Sequence, residues 1–88
     1  MRIVDTIPHE RFKIQIFSYN GKYTVKIELG QFEQSYKIGE LDVMGLNDVK
    51  AMITTEFLNN CLKRFVDMRS DWSESFKNKN TNITNSQD

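Results

Sequence analysis

The sequence predicts a small α+β domain, a three-stranded antiparallel meander in the order 1-2-3 packed on one face by one long or broken C-terminal helix. Three observations predict it. Asn20-Gly21 and Gly30-Gln31 divide residues 12–38 into three runs in which apolar and polar residues alternate. From Leu46 to Phe76 the apolar spacing changes to three and four, the period of a helix. The chain has 88 residues, enough for one domain whose core is near the lower size limit for stability, which favours help from a partner subunit.

Residues 1–10 are ambiguous, since Ile3-Val4 is compatible with a short strand while Pro8 lacks a backbone donor and holds Ile7 extended; they read as a lead-in arm. The first strand is Arg11 to Tyr19. Asn20-Gly21 supplies the two positive φ angles of a type I′ turn, which sets Tyr19 opposite Lys22. Counting back places Phe12, Ile14, Ile16 and Ser18 opposite Leu29, Ile27, Val25 and Tyr23, all on one face. A type II′ turn at Gly30-Gln31 then sets Leu29 opposite Phe32, Val25 opposite Tyr36 and Tyr23 opposite Ile38, with Gln34 interrupting the apolar face in the third strand. The same register puts Glu28 beside Glu33, an unfavourable pair, with Lys13 on the other side of Glu28 as a counter-charge.

Gly39 to Gly45 reads as a connector, with Asn47 as the cap of a helix beginning at Asp48. Leu46, Val49, Ile53 and Phe57 form one stripe; Leu58, Cys61, Leu62, Phe65, Trp72 and Phe76 form another, rotated from it at Thr54-Thr55. Either the helix breaks there, or a single helix covers the sheet with its first half and meets something else with its second. Unbroken from Asn47 to Lys77 it would be roughly 45 Å long, against about 27 Å for an eight-residue strand. The excess predicts that Phe65, Met68, Trp72 and Phe76 pack against a second copy or fold back over a sheet edge. The domain is expected to span 1–77. Residues 78–88, rich in Lys, Asn, Thr, Ser, Gln and Asp, read as a disordered polar tail. Asn82-Ile83-Thr84 matches a glycosylation sequon, but no secretory signal accompanies it.

Twelve basic and twelve acidic residues cancel, which argues against a strong sequence-independent grip on nucleic acid or an anionic membrane. A lone Cys61 forms no internal disulfide, and no apolar run approaches membrane-spanning length. A cytoplasmic protein with no membrane contact is the expectation.

Candidate sites follow from the predicted register. The sheet face opposite the core carries Phe17 and Tyr19 among Lys22, Lys26 and Lys37, an arrangement able to stack unpaired bases over ammonium groups that meet phosphates. Exposed aromatics also mark protein contact, and neutral net charge favours that reading, with Phe17 under the amino-terminal arm or in a dimer interface. His9-Glu10-Arg11, with Asp5 near, holds an imidazole beside a carboxylate, yet neighbours on an extended segment point to opposite sides and no partner stands at catalytic spacing. One histidine is too few for a His-based zinc site. Cys61 lies mid-helix in the apolar stripe, as a small core residue does, and Lys63, Arg64 and Arg69 alternate with Asp67 and Asp71 as on a solvated helix face.

The order strand-strand-strand-helix resembles the half ribonuclease-H-like arrangement of HicB-type antitoxin domains. The resemblance is one of topology: the Gly-Cys-containing loop usual before that helix is replaced by Gly39-Glu40-Leu41-Asp42-Val43-Met44-Gly45, so it implies no residue role. The meander followed by a helix is also similar to the DNA-binding arm of some integrases, without arginines on the exposed face. Ile7-Pro8-His9-Glu10-Arg11-Phe12 and the first sixty residues resemble short bacterial proteins that have no assigned activity to lend.

The sequence therefore predicts a noncatalytic protein-interaction module, its expected partner a second copy in a homodimer or an unidentified protein, with no cofactor and no metal. The alternative is an accessory nucleic-acid-binding protein using Phe17, Tyr19, Lys22, Lys26 and Lys37.

Overall fold

The computed structural model describes the backbone of residues 1–85 and side chains through Lys79. The Asn20-Gly21 pair adopts the conformation its residue types favour, with φ of 53° and 77°, and the flanking strands β2 (Lys13–Tyr19) and β3 (Lys22–Leu29) pair with Tyr19 opposite Lys22, Ile16 opposite Val25 and Ile14 opposite Ile27. At the second turn only Gly30 has positive φ, 64°, as a type II′ turn requires, and β4 (Phe32–Gly39) pairs with β3 from Leu29↔Phe32 to Lys22↔Gly39. The meander and its inner face are as expected. Glu28 does stand opposite Glu33, and Lys26 Nζ relieves the repulsion from 3.8 Å.

The sheet has four strands, not three. The expected lead-in arm is a strand, β1 (Arg2–Ile7), antiparallel to β2, so the order is β1-β2-β3-β4. The physical reason is the free edge of β2, whose unpaired N–H and C=O groups the arm satisfies. A bulge hides this strand from pattern reading: the register slips between Ile3 and Asp5, so Ile3 lies opposite Phe17 on the outer face while Val4 packs against the core. Asp5 is thereby aimed at the helical layer, where its carboxylate lies 2.8 Å from Lys50 Nζ and also accepts the Thr6 N–H. The hydrogen bond from Lys50, then that from Thr6, hold the Asp5 carboxyl below its ordinary value.

Beyond a 3-10 turn at Glu40–Asp42 the helix is broken. Helix α1 (Leu46–Met52) is capped at Gly45 rather than Asn47, and Asp48 in its first turn reaches back to accept the Met44 N–H at 2.8 Å. Ile53 leaves helical geometry, and Thr54 caps α2 (Thr55–Asn85) by accepting the Phe57 N–H on Oγ1 at 3.0 Å. The two threonines where the stripe shifts are therefore the end of one helix and the cap of the next. The polar tail expected over 78–88 lies, from residue 80 in its side chains and from 86 in its backbone, outside the described residues.

The core lies between the inner sheet face and the two helices. Phe12, Ile14, Ile16, Val25 and Ile27 from the sheet meet Val49 of α1 and Leu58, Cys61 and Phe65 of α2. Phe65 is 2% exposed, its ring 5.8 Å from that of Phe12. Assigning Phe65 to an interface with another chain is thus corrected: the break at Ile53 starts α2 far enough along that Phe65 still stands over the sheet.

Candidate functional site

Three places hold side chains that packing alone does not explain. The first is the far half of α2. At ~100° per residue Leu58, Cys61, Phe65, Trp72 and Phe76 fall within an arc of about 60°, so one face of the helix carries them all. The first three are buried, whereas Trp72 is 60% and Phe76 64% exposed. The cause is length. The 31 residues of α2 extend roughly 46 Å, while the seven- and eight-residue strands beneath end near 27 Å. The molecule is accordingly 55 Å long but only 28 by 18 Å across. Where α2 passes the β3–β4 turn, Met68 and Trp72 line an open groove with Gln31 and Phe32, and Met68 is half-buried. Of the expected interface set, Phe65 belongs to the core, Met68 stands at its rim, and Trp72 and Phe76 form the uncovered continuation.

The second place is the outer sheet face, which no helix covers. Register puts Phe17, Thr24 and Lys37 in one cross-strand row and Tyr19 opposite Lys22. Lys26 Nζ lies 5.2 Å from the centre of the Phe17 ring and is shared with Glu33. Phe17 is half-buried, with Ile3 of β1 its cross-strand neighbour and Lys26 over its ring. Glu28 and Glu33 share the face with the lysines, so its positive potential is small.

The third place is a polar cluster that runs from buried Gln34 through half-buried Tyr36 to exposed Arg64. Gln34, 9% exposed on the inner face, donates from Nε2 to the Cys61 carbonyl at 2.9 Å, and its Oε1 accepts from the Tyr36 hydroxyl at 2.6 Å and from Arg64 Nε at 3.0 Å. Arg64 Nη2 donates to the Tyr36 oxygen at 2.9 Å and lies 3.5 Å from Cys61 Sγ. Burial, reinforced by the contact with Cys61, pushes the Tyr36 phenol above its ordinary value against the pull of Arg64. A neutral phenol is what this circuit needs, since its proton goes to Gln34. Through these bonds the cluster ties β4 to α2. The sequence marks Gln34 as an interruption, but its partner Arg64 lies 30 residues away with no spacing rule to reveal it.

No family model, curated protein or solved structure matches the chain. The assignment therefore rests on the geometry. His9, the one imidazole, accepts the Arg11 and Phe12 N–H groups on Nδ1 at 3.0 and 3.3 Å and stacks on the Phe12 ring at 4.9 Å, closing the bend between β1 and β2. Cys61 is fully buried. Among the described residues no group of three or more His, Cys, Asp or Glu is placed to hold a metal ion, and no helix is long and apolar enough to cross a membrane.

Proposed function

We propose that the protein is a noncatalytic interaction module that self-associates, the C-terminal half of α2 meeting a second copy. One observation carries this reading: the stripe that builds the core continues without change of direction into Trp72 and Phe76, beyond the end of the sheet it covers. Large aromatics on such a face are the anchors that supply most of the energy at protein contacts, and leaving them in water forfeits their burial. The groove with Gln31, Phe32 and Met68 gives them a shaped rather than a flat setting. The outer sheet face supports nucleic-acid binding less, because Lys26 is already held between Phe17 and Glu33 and Glu28 stands opposite Lys13.

Trp72 is the only tryptophan, so its fluorescence reports this surface alone. On concentration the emission maximum is expected to move to shorter wavelength as the indole leaves water. Trp72→Ala with Phe76→Ala is expected to weaken association by at least ~30-fold, the scale of a hot-spot loss. Emission typical of a hydrated indole at every concentration would contradict the proposal.

A further inference from the structure

Self-association needs a place for the second copy, and the free edge of the sheet supplies one. The two edges differ. β1 is interrupted by its bulge and followed by Pro8, devices that discourage pairing with another chain, whereas β4 pairs with β3 at eight consecutive positions with no bulge and no proline. The phase of its backbone is set at both ends. Leu29↔Phe32 closes the two-residue turn, and Glu40 N–H donates to the Gly21 carbonyl at 3.0 Å. Even-numbered residues of β4 thus bond to β3, and residues Glu33, Ser35 and Lys37 turn their N–H and C=O groups outward.

We propose that β4 pairs antiparallel with β4 of a second copy about a two-fold axis through Ser35, joining two four-stranded sheets into one of eight strands. The argument for a second copy as the occupant is charge complementarity. Outward-facing residues must meet outward-facing residues, so the possible registers differ by steps of two. Centring on Glu33 or on Lys37 opposes like charges, and the registers centred between these residues and Ser35 leave both charges facing neutral side chains. Only the axis through Ser35 places each Glu33 opposite the partner's Lys37, twice by symmetry. The same axis sets Phe32 opposite the partner's Ile38 on the inner face. It also accounts for the overrun of α2, on whose self-association reading this inference rests. The helix runs counter to β4, with Phe57 against Tyr36 at 5.1 Å and Trp72 beside Gln31 and Phe32. A two-fold at Ser35 therefore carries Trp72 to the end of the partner's β4, where Ile38, Met52, Ile53 and Phe57 line an apolar cleft of about 290 Å³.

Sedimentation equilibrium of the wild type, Ser35→Pro, Lys37→Glu and the double variant Lys37→Glu/Glu33→Lys tests the register. Proline at 35 removes an N–H that points away from β3, so the fold is retained and the dimer is lost. Lys37→Glu opposes two pairs of like charges and raises the dissociation constant about tenfold or more, and the double variant restores it to near the wild-type value. A wild-type dimer that survives Ser35→Pro and Lys37→Glu overturns the β4 contact while leaving self-association standing. A wild type that is monomeric throughout overturns self-association itself. Should Ser35→Pro fail to fold, the charge pair decides alone: no weakening in Lys37→Glu, or no recovery in the double variant, overturns the register.

Discussion

Phe65→Ala lowers the stability of the folded chain by about 3–5 kcal/mol, the usual cost of deleting a buried phenyl ring. Phe65 is 2% exposed and packs its ring against Phe12, the residue just before β2, on which the His9 ring also stacks. The loss comprises the burial of the ring and the cavity left between α2 and the sheet. Against a total of about 5–15 kcal/mol for a domain, it leaves much of the population unfolded at modest denaturant. Trp72→Ala, one stripe position further along α2, changes monomer stability by less than about 0.5 kcal/mol when measured on dilute protein. Urea denaturation of the two variants distinguishes core from contact surface on a single helix face. Equal losses would show that the sheet end and Trp72 pack together and that the helix does not outrun its support.

Gln34→Leu is the second variant with a large expected effect. The leucine keeps the volume but removes the acceptor shared by Tyr36 and Arg64 and the donor to the Cys61 carbonyl. The Cys61 carbonyl loses its side-chain donor, the Tyr36 hydroxyl keeps only its 3.9 Å contact with Cys61 Sγ, and a cost of about 1–3 kcal/mol follows from the three hydrogen bonds lost. Gln34→Leu combined with Tyr36→Phe and Arg64→Met removes the polar atoms together and recovers most of that loss, since replacing both sides of a buried polar contact by apolar groups can be nearly neutral. Urea midpoints of the single and triple variants check this. A neutral single variant would mean that the cluster contributes nothing to docking α2 on β4.

The inner and outer faces of the meander were legible because two turns with glycine at the position needing positive φ leave the register no freedom, and Phe12, Ile14, Ile16, Val25 and Ile27 all land on the buried side. β1 was not legible because pairing with β2, rather than its own pattern, makes it a strand, and because the slip at Val4 destroys alternation over six residues. The helix break is visible as a rotation of the stripe at Thr54-Thr55, but not its effect, which is to shift α2 so that Phe65 reaches Phe12. Spacing shows that a stripe continues; where the sheet beneath it stops depends on how α2 lies across the strands. For the same reason spacing separates neither Trp72 nor Phe76, which stay exposed, from Phe65, which the sheet covers. Gln34 stood out as a polar residue on an apolar face, yet the chain from Arg64 through Tyr36 exists only once α2 is docked on β4.

Sedimentation equilibrium of the wild-type protein over a wide concentration range tests the self-association claim most directly. The mass is expected to rise from that of one chain, 10.4 kDa, toward twice that value as concentration increases. A mass that stays at one chain across the whole range would contradict it.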